Sequence, residues 1–124
     1  MRDKTSISSK ARQLARLGQR AVYGQSLLGL ASDNSAIFAI SADLGNSSGL
    51  SRFRLTYPDR FLNIGIAEQH MIGFSSGLSS CDFNVFCSSF APFITMRACE
   101  QVRMNLAYMQ SNVKIVSIKR KIIR

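Results

Sequence analysis

Residues 63–71 read Asn-Ile-Gly-Ile-Ala-Glu-Gln-His-Met, and the pattern around this stretch decides the fold. The residues Phe61–Ile64 predict a strand, and Gly65 separates it from a helix predicted from about Ala67 to Leu78. Glu68 therefore lies where a strand is followed by a helix. In an open parallel sheet, ligands bind at the carboxyl ends of the strands, and a helix N-terminus stabilises a carboxylate. This position leaves two interpretations open, a cap for the helix or a contact with a ligand.

Strands and helices alternate along the rest of the chain. Leucine and alanine residues spaced by three, four and seven predict one long helix over residues 8–31. The other predicted elements are strands at Ala36–Ile40, Asn84–Cys87 and Asn112–Val116, a loop over residues 45–60, and a helix at Ala91–Gln110. This alternation predicts an α/β fold with a mainly parallel sheet flanked by helices.

Length and composition limit the class of protein. The 124 residues fit one domain of ordinary size, and 46% of them are hydrophobic. This composition excludes a disordered, collagen-like or disulfide-scaffold protein. No apolar run approaches the ~20 residues of a membrane-spanning helix, and residues 1–12 contain no hydrophobic signal core. We therefore expect a cytoplasmic protein without a membrane partner.

The formal charge of +9 is concentrated at the two ends of the chain. Residues 1–20 contain six basic residues and one acidic residue, and residues 114–124 contain five basic residues and no acidic one. Such ends are typical either of a non-enzymatic module that binds nucleic acid or of a solvated surface. Because no aromatic residues are interleaved to stack on bases, nucleic acid is not the expected partner.

Cysteine and histidine do not predict a metal site. The three cysteines have no C-x-x-C spacing and His70 is the only histidine, so we expect free, mostly buried thiols and no zinc. His70 is either a general base or a structural residue. The loop Gly-Asn-Ser-Ser-Gly at residues 45–49 is a weak candidate for an anion site. It fits neither the P-loop motif nor the glycine-rich dinucleotide-binding motif.

Several motifs occur in an order that is specific to one family. Asn-Ile-Gly-Ile-Ala-Glu-Gln at residues 63–69 is the most specific of them. The others are Ser-Ala-Asp-Leu at 41–44, Tyr-Pro-Asp-Arg-Phe at 57–61, Phe-Ala-Pro-Phe at 90–93, Glu-Gln-Val-Arg at 100–103 and Asn-Val-Lys-Ile-Val at 112–116. Over about residues 8–116 the chain resembles the pyrimidine-binding domain of transketolases, and it looks closest to the C-terminal chains of transketolases that are split in two.

The resemblance implies a cofactor, thiamine diphosphate with Mg²⁺ or Ca²⁺, and a role for Glu68. In such enzymes this glutamate forms a hydrogen bond with the N1′ atom of the aminopyrimidine. That hydrogen bond helps to activate C2 of the thiazolium, which carries a two-carbon unit between sugar phosphates. The other implied positions are Asp43 and Ile66 near the cofactor, Phe90 and Phe93 as the aromatic pocket, Met96 in place of a third aromatic residue, and Ser47 as a weaker contact for substrate phosphate.

The chain also departs from the family pattern. An arginine that binds substrate phosphate in many members looks to be replaced by Ser9. Residues 117–124 form a basic tail unlike the family, which predicts a partial pyrimidine-binding domain over residues 1–116 and a truncated fold, incomplete at its C-terminus. No Gly-Asp-Gly motif for the diphosphate and metal is present. We expect a subunit that is inactive alone and needs a diphosphate-binding transketolase subunit or a second protomer.

Two other enzymes share the same cofactor and remain open as alternatives. A fragment of deoxyxylulose-5-phosphate synthase, or of a 2-oxo acid dehydrogenase β subunit, would contain similar motifs. The strand at Asn112–Val116 and the Phe-Ala-Pro-Phe motif favour the transketolase type.

Overall fold

The computed structural model describes residues 4–119. Its helices are α1 (Lys4–Leu17), α2 (Gln19–Asp33), α3 (Ser51–Thr56), α4 (Glu68–Ser79) and the short α5 (Cys99–Gln101). Its strands are β1 (Ile37–Ser41), β2 (Phe61–Asn63), β3 (Asn84–Phe90) and β4 (Val113–Ile118). A 3₁₀ turn covers Pro58–Arg60, and two π-helical stretches, Phe93–Arg97 and Val102–Tyr108, flank α5.

The four strands form one parallel sheet in the order β2-β1-β3-β4. Strand β1 is central: its last residue, Ser41, pairs with Asn63 of β2 on one side and with Ser88 of β3 on the other. Parallel strands that alternate with helices confirm the predicted α/β fold. All the carboxyl ends of the strands lie at one edge of the sheet.

Each face of the sheet is covered by its own apolar cluster. Ile40 and its neighbours pack beneath α4 and the C-terminal helical segment, through residues such as Met71 and Ile72. Ala39, which points to the opposite face, packs with Leu27 of α2 and Phe53 of α3. Because successive strand residues face opposite sides, a continuously apolar β1 can be buried on both faces.

The single helix predicted over residues 8–31 is wrong, because the chain breaks at Gly18. This glycine has a φ of +80°, in the left-handed region that a helix cannot use and that glycine adopts most easily. Helix α1 therefore ends at Leu17 and α2 begins at Gln19. The apolar spacing continues across the break, so it does not reveal the break.

The predicted loop over residues 45–60 is also wrong in part. Helix α3 lies within this predicted loop. Its Phe53 side chain is fully buried against the side of the sheet that α2 covers, and this burial stabilises a short amphipathic helix. The predicted helix at Ala91–Gln110 exists only as α5 and its π-helical flanks. Two strands are longer than predicted: β3 ends at Phe90, and β4 continues into the predicted tail as far as Ile118.

Arg60 fixes the end of helix α2 from a distant part of the chain. Its Nη1 atom donates to the carbonyl oxygens of Ala31 and Asn34, each at 3.1 Å. Its guanidinium also lies 3.8 Å from the ring centroid of Tyr57. The last carbonyls of a helix need such donors. The Tyr-Pro-Asp-Arg-Phe motif thus joins α2 to the strand that leads to Glu68.

Helix α2 lies unusually close to the loop that follows β1. A Cβ atom added to Gly24 would lie 2.0 Å from the carbonyl oxygen of Gly49. Gly49 itself has a φ of +78°, and a Cβ atom there would lie 2.4 Å from the carbonyl oxygen of Arg20. Only glycine permits this approach of two backbones, which holds residues 45–50 against the helix.

We predict that Gly24→Ala lowers the free energy of unfolding by about 3 kcal/mol, because the new methyl group meets backbone that cannot rotate away. The matched control is Gly29→Ala in the same helix, where a Cβ atom would meet nothing within 4 Å. That variant should gain up to about 1 kcal/mol from helix propensity. Urea unfolding of both variants checks this, and equal midpoints would contradict it.

The cysteines are free, as expected, but the prediction that they are mostly buried is wrong. Cys87 on β3 is buried, whereas Cys81 and Cys99 are exposed because each lies at an outer helical position or turn. Burial raises the pKa of the Cys87 thiol to about 11.

We therefore predict that a thiol reagent at pH 8 modifies Cys81 and Cys99 in the native protein and leaves Cys87 unmodified. The reactive species is the thiolate, which is scarce and inaccessible at Cys87. Titration of thiols with and without denaturant checks this prediction. Cys87→Ala should remove the slow, denaturant-dependent thiol only, and three equal rates in native protein would rule the prediction out.

Candidate functional site

Glu68 is the first residue of helix α4, and its side chain is only 1% exposed. Its Oε2 atom accepts a hydrogen bond from Arg97 Nη1 at 2.9 Å. Its Oε1 atom has one long contact, a donation from the Ser89 hydroxyl at 3.4 Å. A buried carboxylate with one oxygen firmly paired and the other almost uncommitted can still bind a polar group of a ligand.

Two phenyl rings are connected to this carboxylate through Arg97. The ring centroids of Phe90 and Phe93 are 6.0 Å apart, with their planes tilted by 45°. The guanidinium carbon of Arg97 lies 4.4 Å from the Phe93 centroid, so the same arginine contacts both the carboxylate and the ring. Ser89 and Phe90 are successive residues of β3, so their side chains point to opposite faces of the sheet, and of the two only Ser89 contacts Glu68. The structure thus brings three predicted site residues, Glu68, Phe90 and Phe93, into one continuous cluster.

Asp43 lies at the end of β1, where the backbone adopts a left-handed conformation with a φ of +58°. The side chain of Asn63 holds this turn: its Oδ1 atom accepts from the amides of Asp43 at 2.9 Å and Gly65 at 3.0 Å, and its Nδ2 atom donates to Asp43 Oδ1 at 3.1 Å. Asn63 therefore links the turn after β1 to the turn that leads into α4. Asp43 lies at the same sheet edge as Glu68.

Two further predicted positions are exposed. Ile66 is 76% exposed and Met96 is 79% exposed. Neither fills a pocket within the part of the chain described by the structure. His70, whose ring centroid lies 6.2 Å from that of Phe74, is also exposed, and no contact with Glu68 supports its use as a general base.

A cavity of about 580 Å³ opens at the same edge of the sheet. Arg20 of α2, Ser47 and Phe90 contribute to its wall. Its full lining is Gln19, Arg20, Tyr23, Ser47, Phe90, Val116, Ser117, Ile118 and Lys119. Ser9, predicted to occupy the place of the phosphate-binding arginine, lies on α1 outside this lining. Sequence reasoning missed Arg20, because its regular spacing from Arg12 and Arg16 is equally typical of a solvated helix face.

Tyr23 forms a neutral part of the cavity wall. Its hydroxyl is 2.9 Å from the Ser88 hydroxyl, and either group can donate. Burial raises the pKa of Tyr23 to about 12, so the phenol stays protonated at neutral pH. The charge in this cavity therefore comes from Arg20 and Lys119, which makes it suitable for an anion.

Among residues 4–119, no group of three or more His, Cys, Asp or Glu side chains could hold a metal ion. The same stretch contains no helix that is both long and apolar enough to cross a membrane.

The family profile described as transketolase, pyrimidine binding domain, matches residues 16–122. The chain belongs to this family. Relatives of this pyrimidine-binding domain include the putative transketolase C-terminal section of Methanocaldococcus jannaschii, which is 41% identical over 100 residues. A 1-deoxy-D-xylulose-5-phosphate synthase of Thermomicrobium roseum is 42% identical over 81 residues, which is 65% of this chain and 13% of that enzyme.

The solved structure of a split gene transketolase, an inactive β4 tetramer, matches this pyrimidine-binding domain with a TM-score of 0.70 and 41% identity. The match covers 77% of this chain and 32% of that one. The Methanocaldococcus alignment likewise covers 81% of this chain and 32% of the relative. The transketolase pyrimidine-binding domain described here thus spans about a third of the length of these relatives, and both its family and its fold are those expected from the motifs.

Proposed function

We propose that this chain supplies the aminopyrimidine half of a thiamine diphosphate site in a transketolase-type enzyme, which transfers two-carbon ketol units between sugar phosphates in the cytoplasm. The observation that supports this proposal best is the buried carboxylate of Glu68, which Arg97 joins to the ring of Phe93 and so to the neighbouring ring of Phe90. The three side chains meet at the carboxyl edge of a parallel sheet, where ligands bind in this class of fold.

The chemistry of these side chains fits the aminopyrimidine ring. A flat heteroaromatic ring needs apolar surface for its faces and polar partners for its nitrogen atoms. Phe90 and Phe93 offer the apolar surface, and Glu68 Oε1 has only one long hydrogen bond in the structure. Asp43 lies at the same edge as a further polar group, while the exposed Ile66 is available for contact with a ligand or another chain.

Thiamine diphosphate, when bound, supplies the nucleophilic carbon and the electron sink that cleavage of a ketose requires. The residues of this chain have the supporting roles. Glu68 holds or shares a proton at a ring nitrogen, from a position that water hardly reaches. Phe90 and Phe93 orient the ring and exclude water on one side.

The site needs a second chain for the diphosphate and its Mg²⁺ or Ca²⁺. The described residues offer no cluster of metal ligands, and the similar proteins include a putative transketolase C-terminal section and a split gene transketolase. We therefore propose a diphosphate-binding transketolase subunit, or a second protomer with that capacity, as partner. The chain alone should be inactive.

The cavity beside this cluster is the proposed binding place for the substrate phosphate. Arg20 and Ser47 line it together, and Lys119 adds a second positive charge. A guanidinium and a hydroxyl are both effective donors to phosphate oxygens. Ser47 was the predicted phosphate contact, and Arg20 would supply the arginine contact that the resemblance indicates is lost at Ser9.

A 1-deoxy-D-xylulose-5-phosphate synthase type of reaction is the second candidate. The identity of 42% over 81 residues to one such enzyme favours keeping it. The two reactions differ in the donor, since one cleaves a ketose phosphate and the other decarboxylates pyruvate. Parallel assays with both donors, on the chain combined with a diphosphate-binding subunit, separate them.

We predict that Glu68→Gln lowers thiamine-dependent turnover of the assembled complex by at least about 100-fold, because a carboxamide cannot exchange a proton with the ring nitrogen. The matched control is Glu100→Gln, whose carboxylate pairs with Arg103 on the surface. That variant should retain turnover within about two-fold. Steady-state kinetics and calorimetric binding of thiamine diphosphate measure both, and unchanged turnover in Glu68→Gln would refute the assignment.

We predict that Arg20→Ala raises the KM for a sugar phosphate about ten-fold and changes kcat less, since the hydrogen bonds lost are charge-assisted. Arg16→Ala, which removes a charge from α1 outside the cavity lining, is the control for net charge. If both variants raise KM equally, the effect is long-range electrostatics and the cavity is not the phosphate site.

A further inference from the structure

Glu68 forms a buried ion pair with Arg97, and Glu100 forms a pair with Arg103 at the surface. The carboxylate is 1% exposed, whereas the Arg97 side chain that binds it is 48% exposed. In the other pair, Arg103–Glu100, both side chains are largely exposed. A buried ion pair is strongly coupled, since removing one partner leaves the other charge without compensation. A surface pair contributes little.

The position of Arg97 is fixed by three separate contacts. Its guanidinium donates to Glu68 Oε2 and lies against the Phe93 ring at 4.4 Å. Its carbonyl oxygen accepts a hydrogen bond from Gln69 Nε2 at 3.0 Å. The residue ends the π-helical stretch Phe93–Arg97, in which the Ala98 amide bonds back to the Phe93 carbonyl at 3.2 Å. The widened turn thus places Phe93 and Arg97 together beside the start of α4.

The two oxygen atoms of Glu68 are therefore not equivalent. Oε2 has a short, charge-assisted bond to Arg97, and Oε1 has only the 3.4 Å contact from Ser89. A carboxylate without a fixed partner rotates about its last torsion, which is broad and roughly two-fold. Holding Oε2 fixes the direction of Oε1 as well.

We propose that Arg97 is a positioning residue for Glu68, which fixes Oε2 so that Oε1 is the oxygen presented to a nitrogen of the bound aminopyrimidine. This inference rests on the proposed function and extends it to a residue that contacts both the carboxylate and the aromatic ring. Ser89, by contrast, forms only a long and therefore weak contact with Oε1.

The test measures binding of 4-amino-5-hydroxymethyl-2-methylpyrimidine, the pyrimidine half of thiamine, to the full chain by ligand-observed NMR titration. Arg97→Gln should weaken binding about ten-fold, and Arg97→Lys should lie in between because an ammonium keeps the charge but loses the planar fork. Arg103→Gln, the matched surface variant, and Ser89→Ala should both stay within about two-fold of the wild type.

A double variant separates positioning from a merely structural role. If Arg97 acts through Glu68, then Arg97→Gln should have no further effect on affinity in the Glu68→Gln background. A residue that only stabilises the fold would change the unfolding midpoint and leave the affinity of the folded protein unchanged. Equal affinities of the wild type and Arg97→Gln, or additive losses in the double variant, would overturn the inference.

The same binding measurements give a different result if the proposed function itself is wrong. If the wild type does not bind the pyrimidine at its solubility limit, or if Glu68→Gln binds as the wild type does, the aminopyrimidine site itself is refuted and the inference with it. If Glu68→Gln weakens binding and Arg97→Gln does not, the site stands and only the role of Arg97 is lost.

Discussion

Strand β1 forms hydrogen-bonded ladders with strands on both of its sides, and the arrangement of the site depends on this double pairing. Ser41 at its end pairs with Asn63 of β2 and with Ser88 of β3. Because the pairing is parallel, the carboxyl ends of β1, β2 and β3 all lie at one edge of the sheet. Glu68 follows β2, and Phe90 ends β3, so residues far apart in sequence meet there. A shift in this register by one residue would turn their side chains to opposite faces.

A buried carboxylate at this edge is costly unless it is paired, and the fold provides a specific partner for it. Arg97 reaches Glu68 from the widened turn that follows β3, and it lies on the Phe93 ring as it does so. The arginine is half exposed, so its charge stays partly hydrated while the carboxylate is enclosed. The Glu68 carboxylate is thus shielded from solvent, while the Arg97 side chain that pairs with it remains accessible to solvent.

Two apolar side chains that the resemblance places near the cofactor are strongly exposed. Ile66 and Met96 are each more than three-quarters exposed, and both lie close in sequence to residues of the Glu68 cluster. In the proposed complex, a partner chain would cover such side chains. This agrees with the proposed partner subunit, since the aminopyrimidine and diphosphate halves of the cofactor would then be held by different chains. The basic cavity with Arg20 and Ser47 shares Phe90 with the cluster around Glu68.

The sequence by itself determined the α/β order, the family and the position of Glu68, because short-range patterns and a contiguous motif encode them. It did not predict the break at Gly18 or helix α3, which depend on a backbone conformation and on the burial of Phe53. Only the tertiary structure decided that Arg97 pairs with Glu68 and that Arg20 lies beside Ser47. These pairs are 29 and 27 positions apart in the chain, and no periodicity within one element reports a contact that the sheet and its crossovers create.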